Sequence, residues 1–101
     1  MYFCTLFFGH AVPSKVYPLE NITVVEGENR TLTCNASGSM LTVTWTEVST
    51  GNQSNGLMLD LSNIGRNDAG EYKCEAINDC GTSSASTFLT VVCKWLLLIN
   101  N

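Results

Sequence analysis

Asp68-Ala69-Gly70-Glu71-Tyr72-Lys73-Cys74 is the stretch on which the reading of this chain turns. A run of turn formers, Gly65 to Gly70, leads into it. From there apolar and polar residues alternate, with Tyr72, Cys74 and Ala76 on one side and Glu71, Lys73, Glu75 and Ile77 on the other. Period-two alternation marks a strand with one buried and one wet face, because successive side chains of an extended backbone point to opposite sides. Asp68 is placed to accept backbone hydrogen bonds in the turn ahead of Tyr72. Upstream, Trp45 follows Cys34 by eleven positions, and Tyr72 stands two before Cys74.

The same alternation recurs along the chain. Leu32, Cys34 and Ala36 form one inward set, and Leu41, Val43 and Trp45 form the next, with Thr42, Thr44 and Thr46 on an outer face that suits threonine. Leu57, Leu59 and Leu61 read as another strand, closed by Ile64. Thr87, Leu89 and Val91 are the inward set of the last strand, reached through the hairpin turn Asn78-Asp79-Cys80-Gly81. Ile22 and Val24, ahead of the reversal Glu26-Gly27-Glu28-Asn29, supply the first strand. The chain reads as all-β.

The Cys34, Trp45, Tyr72, Cys74 pattern and the wording D-A-G-E-Y-K-C resemble the immunoglobulin superfamily, its I-set and C2-set members in particular, over residues 16–92. The resemblance implies a Greek-key β-sandwich of two antiparallel sheets, with a Cys34–Cys74 disulfide between them and Trp45 packed on the bridge. It also implies that the Tyr72 hydroxyl ties down the loop carrying Asp68 and Gly70. Only eleven residues separate Trp45 from Leu57, so a shortened C′/D edge is expected, with a short C′ strand at best and little or no D strand. This fold carries many functions. The resemblance implies a non-catalytic, extracellular protein-binding module of a cell-adhesion or cell-surface recognition protein, with a homophilic or heterophilic partner. The alternatives are a ligand-binding ectodomain piece of an enzyme-linked receptor, or a structural module of an intracellular muscle-type protein.

At 101 residues there is room for one domain. We divide the chain into an apolar leader and linker over 1–15, the sandwich over 16–92, and a tail over 93–101. The leader ends in small residues at Gly9 and Ala11, the spacing of a signal-peptidase site, and reads as a truncated signal peptide or a misplaced start. The tail is far shorter than the roughly 20 apolar residues that span a bilayer, so membrane attachment is expected only through other parts of the parent protein. A formal net charge of -4 offers no basic face for nucleic acid or anionic membrane. The single histidine, His10, lies in the leader, and no C-x-x-C, G-x-S-x-G or phosphate-binding loop occurs. No catalytic residue, small-molecule substrate or cofactor is expected. Asp60, Asp68 and Asp79 are dispersed without calcium-loop spacing, so no metal is expected either.

Five cysteines suggest an oxidising compartment. Cys80 at a hairpin tip and Cys93 at the far end of the return strand lie tens of ångströms apart at about 3.3 Å per residue, too far for a mutual bridge. They are candidates for unpaired or intermolecular thiols, Cys80 alternatively for a link to a neighbouring loop. Four N-x-S/T sequons make Asn21, Asn29, Asn35 and Asn52 glycosylation candidates. Asn35 has the parity opposite to Cys34 and points out from the sheet expected to hold the first, second and fifth strands, and Asn29 sits in the turn feeding the same strand. The opposite sheet, of the third, sixth and last strands, carries no sequon on this reading. Its outward Thr44, Lys73, Glu75, Ile77 and Phe88 form the candidate binding face, with Phe88 as an aromatic anchor.

Overall fold

The computed structural model describes residues 4–6 and 9–94. The apolar start of the leader and the tail from Trp95 onward fall outside the described residues. A short antiparallel hairpin, β1 (Cys4–Leu6) and β2 (Gly9–Ala11), precedes β3 (Lys15–Val16), β4 (Ile22–Val25), β5 (Arg30–Thr33), β6 (Ala36–Ser37) and β7 (Thr42–Glu47). Then come β8 (Asn52–Asn55), β9 (Met58–Leu61), a 3-10 turn over Arg66–Asp68, β10 (Gly70–Asn78) and β11 (Gly81–Val92). One layer is a five-stranded sheet in the order β4-β11-β10-β7-β8. The other consists of the antiparallel pairs β5–β9 and β3–β6, where β5 and β6 are two halves of one strand interrupted at Cys34-Asn35. The expected all-β sandwich is the observed architecture.

Alternation in the sequence becomes register in the sheet. Cys74 stands opposite Trp45 on β7 and Ala85 on β11, and Lys73 one step away stands opposite Thr46 and Ser86. Inward residues therefore meet inward ones, and Val24, Leu32, Trp45, Ile64, Tyr72, Cys74, Ala76 and Leu89 are all buried. The bridge Cys34–Cys74 links the two layers with α-carbons 6.2 Å apart. The Trp45 indole is buried, and its Nε1 donates to the Leu57 carbonyl at 2.9 Å, so its one polar atom is satisfied. Leu57 itself, expected inward, is 46% exposed. Its neighbours explain this: it is one of the two residues joining β8 to β9, and among the described residues no strand covers the outer edge of β9.

The N-terminal strand serves both layers. β3 pairs antiparallel with β6, after which the chain crosses over and β4 pairs parallel with β11. Pro18, lacking a backbone donor, suits the crossing segment. The crossing is clamped by Thr87, a buried hydroxyl that donates to the Glu20 carbonyl at 2.6 Å. Residues ahead of 16, assigned from the sequence to the leader, are bonded to the sandwich. Lys15 pairs with Ser37, Ser14 Oγ donates to the Gly81 carbonyl, and Ser39 N donates to the Val12 carbonyl at 3.0 Å. Gly38 makes this approach feasible. Its φ is +137°, and a Cβ there would stand 2.8 Å from the Pro13 carbonyl oxygen.

At the other end, the Tyr72 hydroxyl donates to the Asp68 carbonyl at 2.6 Å, and Asp68 Oδ2 accepts from Gly65 N at 2.8 Å. Gly70, with φ +137°, starts β10 in a conformation that side-chain-bearing residues rarely adopt. Burial, then the nearby Glu47 and Asp68 charges, push the Tyr72 phenol from 10.0 up to about 12.

Two measurements test these supports. Replacing Cys34 and Cys74 by alanine opens a loop of 40 residues and is expected to cost roughly 4 kcal/mol in urea unfolding; an unchanged midpoint would disprove the bridge's role. An unfolded tyrosine ionises near pH 10, whereas folded Tyr72 holds its proton to about pH 12. Its contribution is therefore complete below pH 10 and lost as pH rises toward 12. The unfolding free energy of the parent should fall across that window, and that of Tyr72→Phe should fall less.

Candidate protein-binding face

The outer surface of the five-stranded sheet is set by the same register that builds the core. β10 contributes Glu71, Lys73, Glu75 and Ile77. β7 contributes Thr46, Thr44 and Thr42 opposite the last three, while β11 sets Phe88, Ser86, Ser84 and Thr82 against the four. All five residues of the expected face point outward from this sheet. Lys73 Nζ and Glu75 Oε2 pair at 3.8 Å, both partly exposed, which contributes about 0–1 kcal/mol. The pair places charge at the centre of the face, among the hydroxyls of Thr44, Thr46, Ser84 and Ser86.

The face is not one patch. Phe88 stands opposite Glu71 and Ile77 opposite Thr82, so six residues of strand, about 20 Å, separate the two apolar side chains. At the Ile77 end the sheet runs into the loop before β7. Ile77 is 41% exposed and Met40 86% exposed, and both line a hollow of about 260 Å³ with Thr42, Asn78 and Asp79. Met40 was not identified from the sequence, because it lies in a loop that has no strand period to assign it a side. Its φ of 50° is unfavourable for a residue with a side chain. The preceding residue is held in place: Asn78 Nδ2 donates to the carbonyls of Ser39 and Val12, both at 2.9 Å, and Asn78 Oδ1 accepts from Cys80 N. One amide thus joins the loop, the hairpin tip and the N-terminal segment.

Two expectations about this sheet are corrected. It does carry sequons. Because the chain crosses between layers after β3, Asn21 lies at the start of edge strand β4, level with Phe88, and its Oδ1 accepts from Phe88 N at 3.1 Å. Asn52 opens β8 on the opposite edge of the same sheet. Asn29 and Asn35 are exposed beside and within the strand running through β5 and β6; Asn29 Oδ1 accepts from Asn63 N at 2.9 Å. The second correction concerns Cys80. It is disulfide-bonded within the chain, so it is neither an unpaired thiol nor available to another chain. Cys93, partly buried after β11, is the free cysteine among the described residues.

Comparison with known proteins places this geometry. The family described as immunoglobulin domain matches residues 13–78. IgLON family member 5 of Homo sapiens is 41% identical over 76 residues, which are 73% of this chain and 22% of that protein. Hemicentin-1 of Homo sapiens is 34% identical over 96 residues, 84% of this chain and 2% of that protein. The chain therefore spans a small part of these relatives. Among solved structures, a chain of the complex of Dpr11 IG1 bound to DIP-gamma IG+IG2 aligns with a TM-score of 0.71 at 30% identity, covering 80% of this chain and 48% of that one. A Dscam structure, described as the basis for isoform specificity, aligns at 0.69 and 26% identity over 83% of this chain and 22% of that one. With the family match running through the cysteine bridge, the buried tryptophan and the tyrosine-tied turn, this chain belongs to the immunoglobulin superfamily.

Proposed function

We propose that the chain is an extracellular, non-catalytic recognition module of a cell-surface or adhesion protein, and that it binds a protein partner through the outer face of its five-stranded sheet. The observation that carries this reading is the Ile77 end of that face. There Met40 and Ile77 expose apolar surface around a hollow edged by Thr42, Asn78 and Asp79, with Thr44 and the Lys73–Glu75 pair further along the same face. An apolar centre with a polar, charged rim is the anatomy of a protein interface. Among the described residues no group of histidine, cysteine, aspartate and glutamate is placed to hold a metal ion. The likeness to a chain of the complex of Dpr11 IG1 with DIP-gamma IG+IG2 supports a protein as the ligand.

Location outside the cell is supported by disulfide chemistry. Cys34, Cys74 and Cys80 are all in disulfides, which persist in oxidising compartments and are rare in the cytosol. This weighs against the intracellular structural module. The ligand-binding piece of an enzyme-linked receptor would use the same face, and differs from simple adhesion only in what the parent protein carries beyond this domain.

The test is a binding screen of the secreted, multimerised chain against itself and a panel of cell-surface immunoglobulin ectodomains. For any partner found, Ile77→Asp and Met40→Asp should each weaken binding about tenfold or more. Thr33→Arg, on the opposite sheet and outside every sequon, should leave binding unchanged. Binding that survives both face variants and is lost with Thr33→Arg would overturn the assignment.

A further inference from the structure

We infer that Asn21 carries an N-linked glycan whose first N-acetylglucosamine packs on the ring of Phe88, so that this end of the sheet is a sugar platform and not part of the partner-binding surface. Asn21-Ile22-Thr23 is a sequon, and Asn21 and Thr23 are both exposed. Asn21 precedes inward-facing Ile22 by one residue, which turns it to the outer face, beside Phe88 of the adjacent strand. The hydrogen bond from Phe88 N to Asn21 Oδ1 holds the carbonyl end of the amide against β11 and leaves the nitrogen, the atom that takes the sugar, as the free end.

Phe88 is 52% exposed, and its neighbours on this part of the face, Glu71, Lys73 and Ser86, are polar. Exposed apolar residues are common singly, so exposure alone decides nothing. The adjacency to a sequon gives the ring an occupant. Neighbouring strands lie about 4.8 Å apart, which brings the first sugar on Asn21 over the ring beside it. The axial C–H bonds of a pyranose carry slight positive charge, and the face of an aromatic ring is negative, so the two surfaces attract and exclude water together. Asn35 also meets an exposed aromatic residue, but through its backbone carbonyl, which accepts from Tyr17 N at 2.9 Å; at Asn21 the side-chain amide itself is held, by Phe88 N. In the transfer step Asn21 Nδ2 releases one proton to solvent and bonds the anomeric carbon of an isoprenoid-diphosphate-linked oligosaccharide. The bond broken is that carbon's bond to the diphosphate oxygen, and the isoprenoid diphosphate leaves.

The inference rests on the secretory half of the proposed function and is independent of the partner. The whole chain is secreted from a eukaryotic host and its glycans are trimmed enzymatically to single N-acetylglucosamines. Peptide mass spectrometry then reads occupancy at each sequon. Asn21 should be occupied, and the parent should melt about 4 °C above Thr23→Ala, which lacks only this sugar. The difference should vanish when Phe88→Ser is present in both, and the upfield-shifted N-acetyl or ring protons of that sugar should return to their free positions. A sugar on Asn21 with the same melting difference in the Phe88→Ser background, or none in the parent, overturns the packing. A bare Asn21 alongside other occupied sequons overturns the inference alone; bare asparagines throughout overturn it together with the secretory reading. Loss of binding in Ile77→Asp tests the partner reading separately.

Discussion

The pairing of Cys74 with Trp45 across β10 and β7, with Cys74 bonded through the core to Cys34, is the constraint from which the rest follows. It fixes register, and register in a sheet is all or nothing: a slip by one residue would turn Lys73 and Glu75 into the core and expose Tyr72 and Cys74. The covalent bridge removes that alternative, because its two α-carbons must stay within bonding reach. The outer surface is therefore specified by the inner one. Thr44, Lys73, Glu75 and Ile77 share a face because their sequence neighbours share the core.

Two side chains, one toward each end of the sheet, show how few polar contacts a small sandwich needs when each is buried or multiply shared. Asn78 joins three segments with one side-chain amide, and Thr87 holds the crossing segment with one hydroxyl. Each replaces a backbone hydrogen bond that an irregular segment could not otherwise make. The exposed Met40 depends on the first of these, since the loop that presents it is held through Ser39.

Period-two alternation was enough to read most of the strands and the outward orientation of the candidate face, while the sandwich and its core signature came from the resemblance carried by Cys34, Trp45, Tyr72 and Cys74. What it could not convey was sheet membership. Ile22 and Val24 alternate in the same way whether their strand joins one layer or the other, and only the crossover after β3 brings Asn21 beside Phe88. Parity likewise assigned Ile77 and Phe88 to one face without measuring the distance along it. Leu57 continues the leucine alternation in sequence yet lies half exposed, because alternation does not register that the neighbouring edge is uncovered. The bond at Cys80 was open for a similar reason: one residue at a hairpin tip contains no information on which distant segment comes near it.

The parallel pairing of β4 with β11 has a mechanical meaning. The chain enters the sandwich beside the β10–β11 hairpin, where Ser14 meets Gly81, and β11 leaves it at the opposite pole, where Glu26 N donates to the Val92 carbonyl. Tension between these two points runs along the strands. The four register pairs from Ile22–Leu89 to Val25–Val92 then resist as one group loaded in shear, instead of opening one after another like a zip. A module joined at both poles to others would transmit force through this strand pair, with the Ile77 face carried alongside the line of tension.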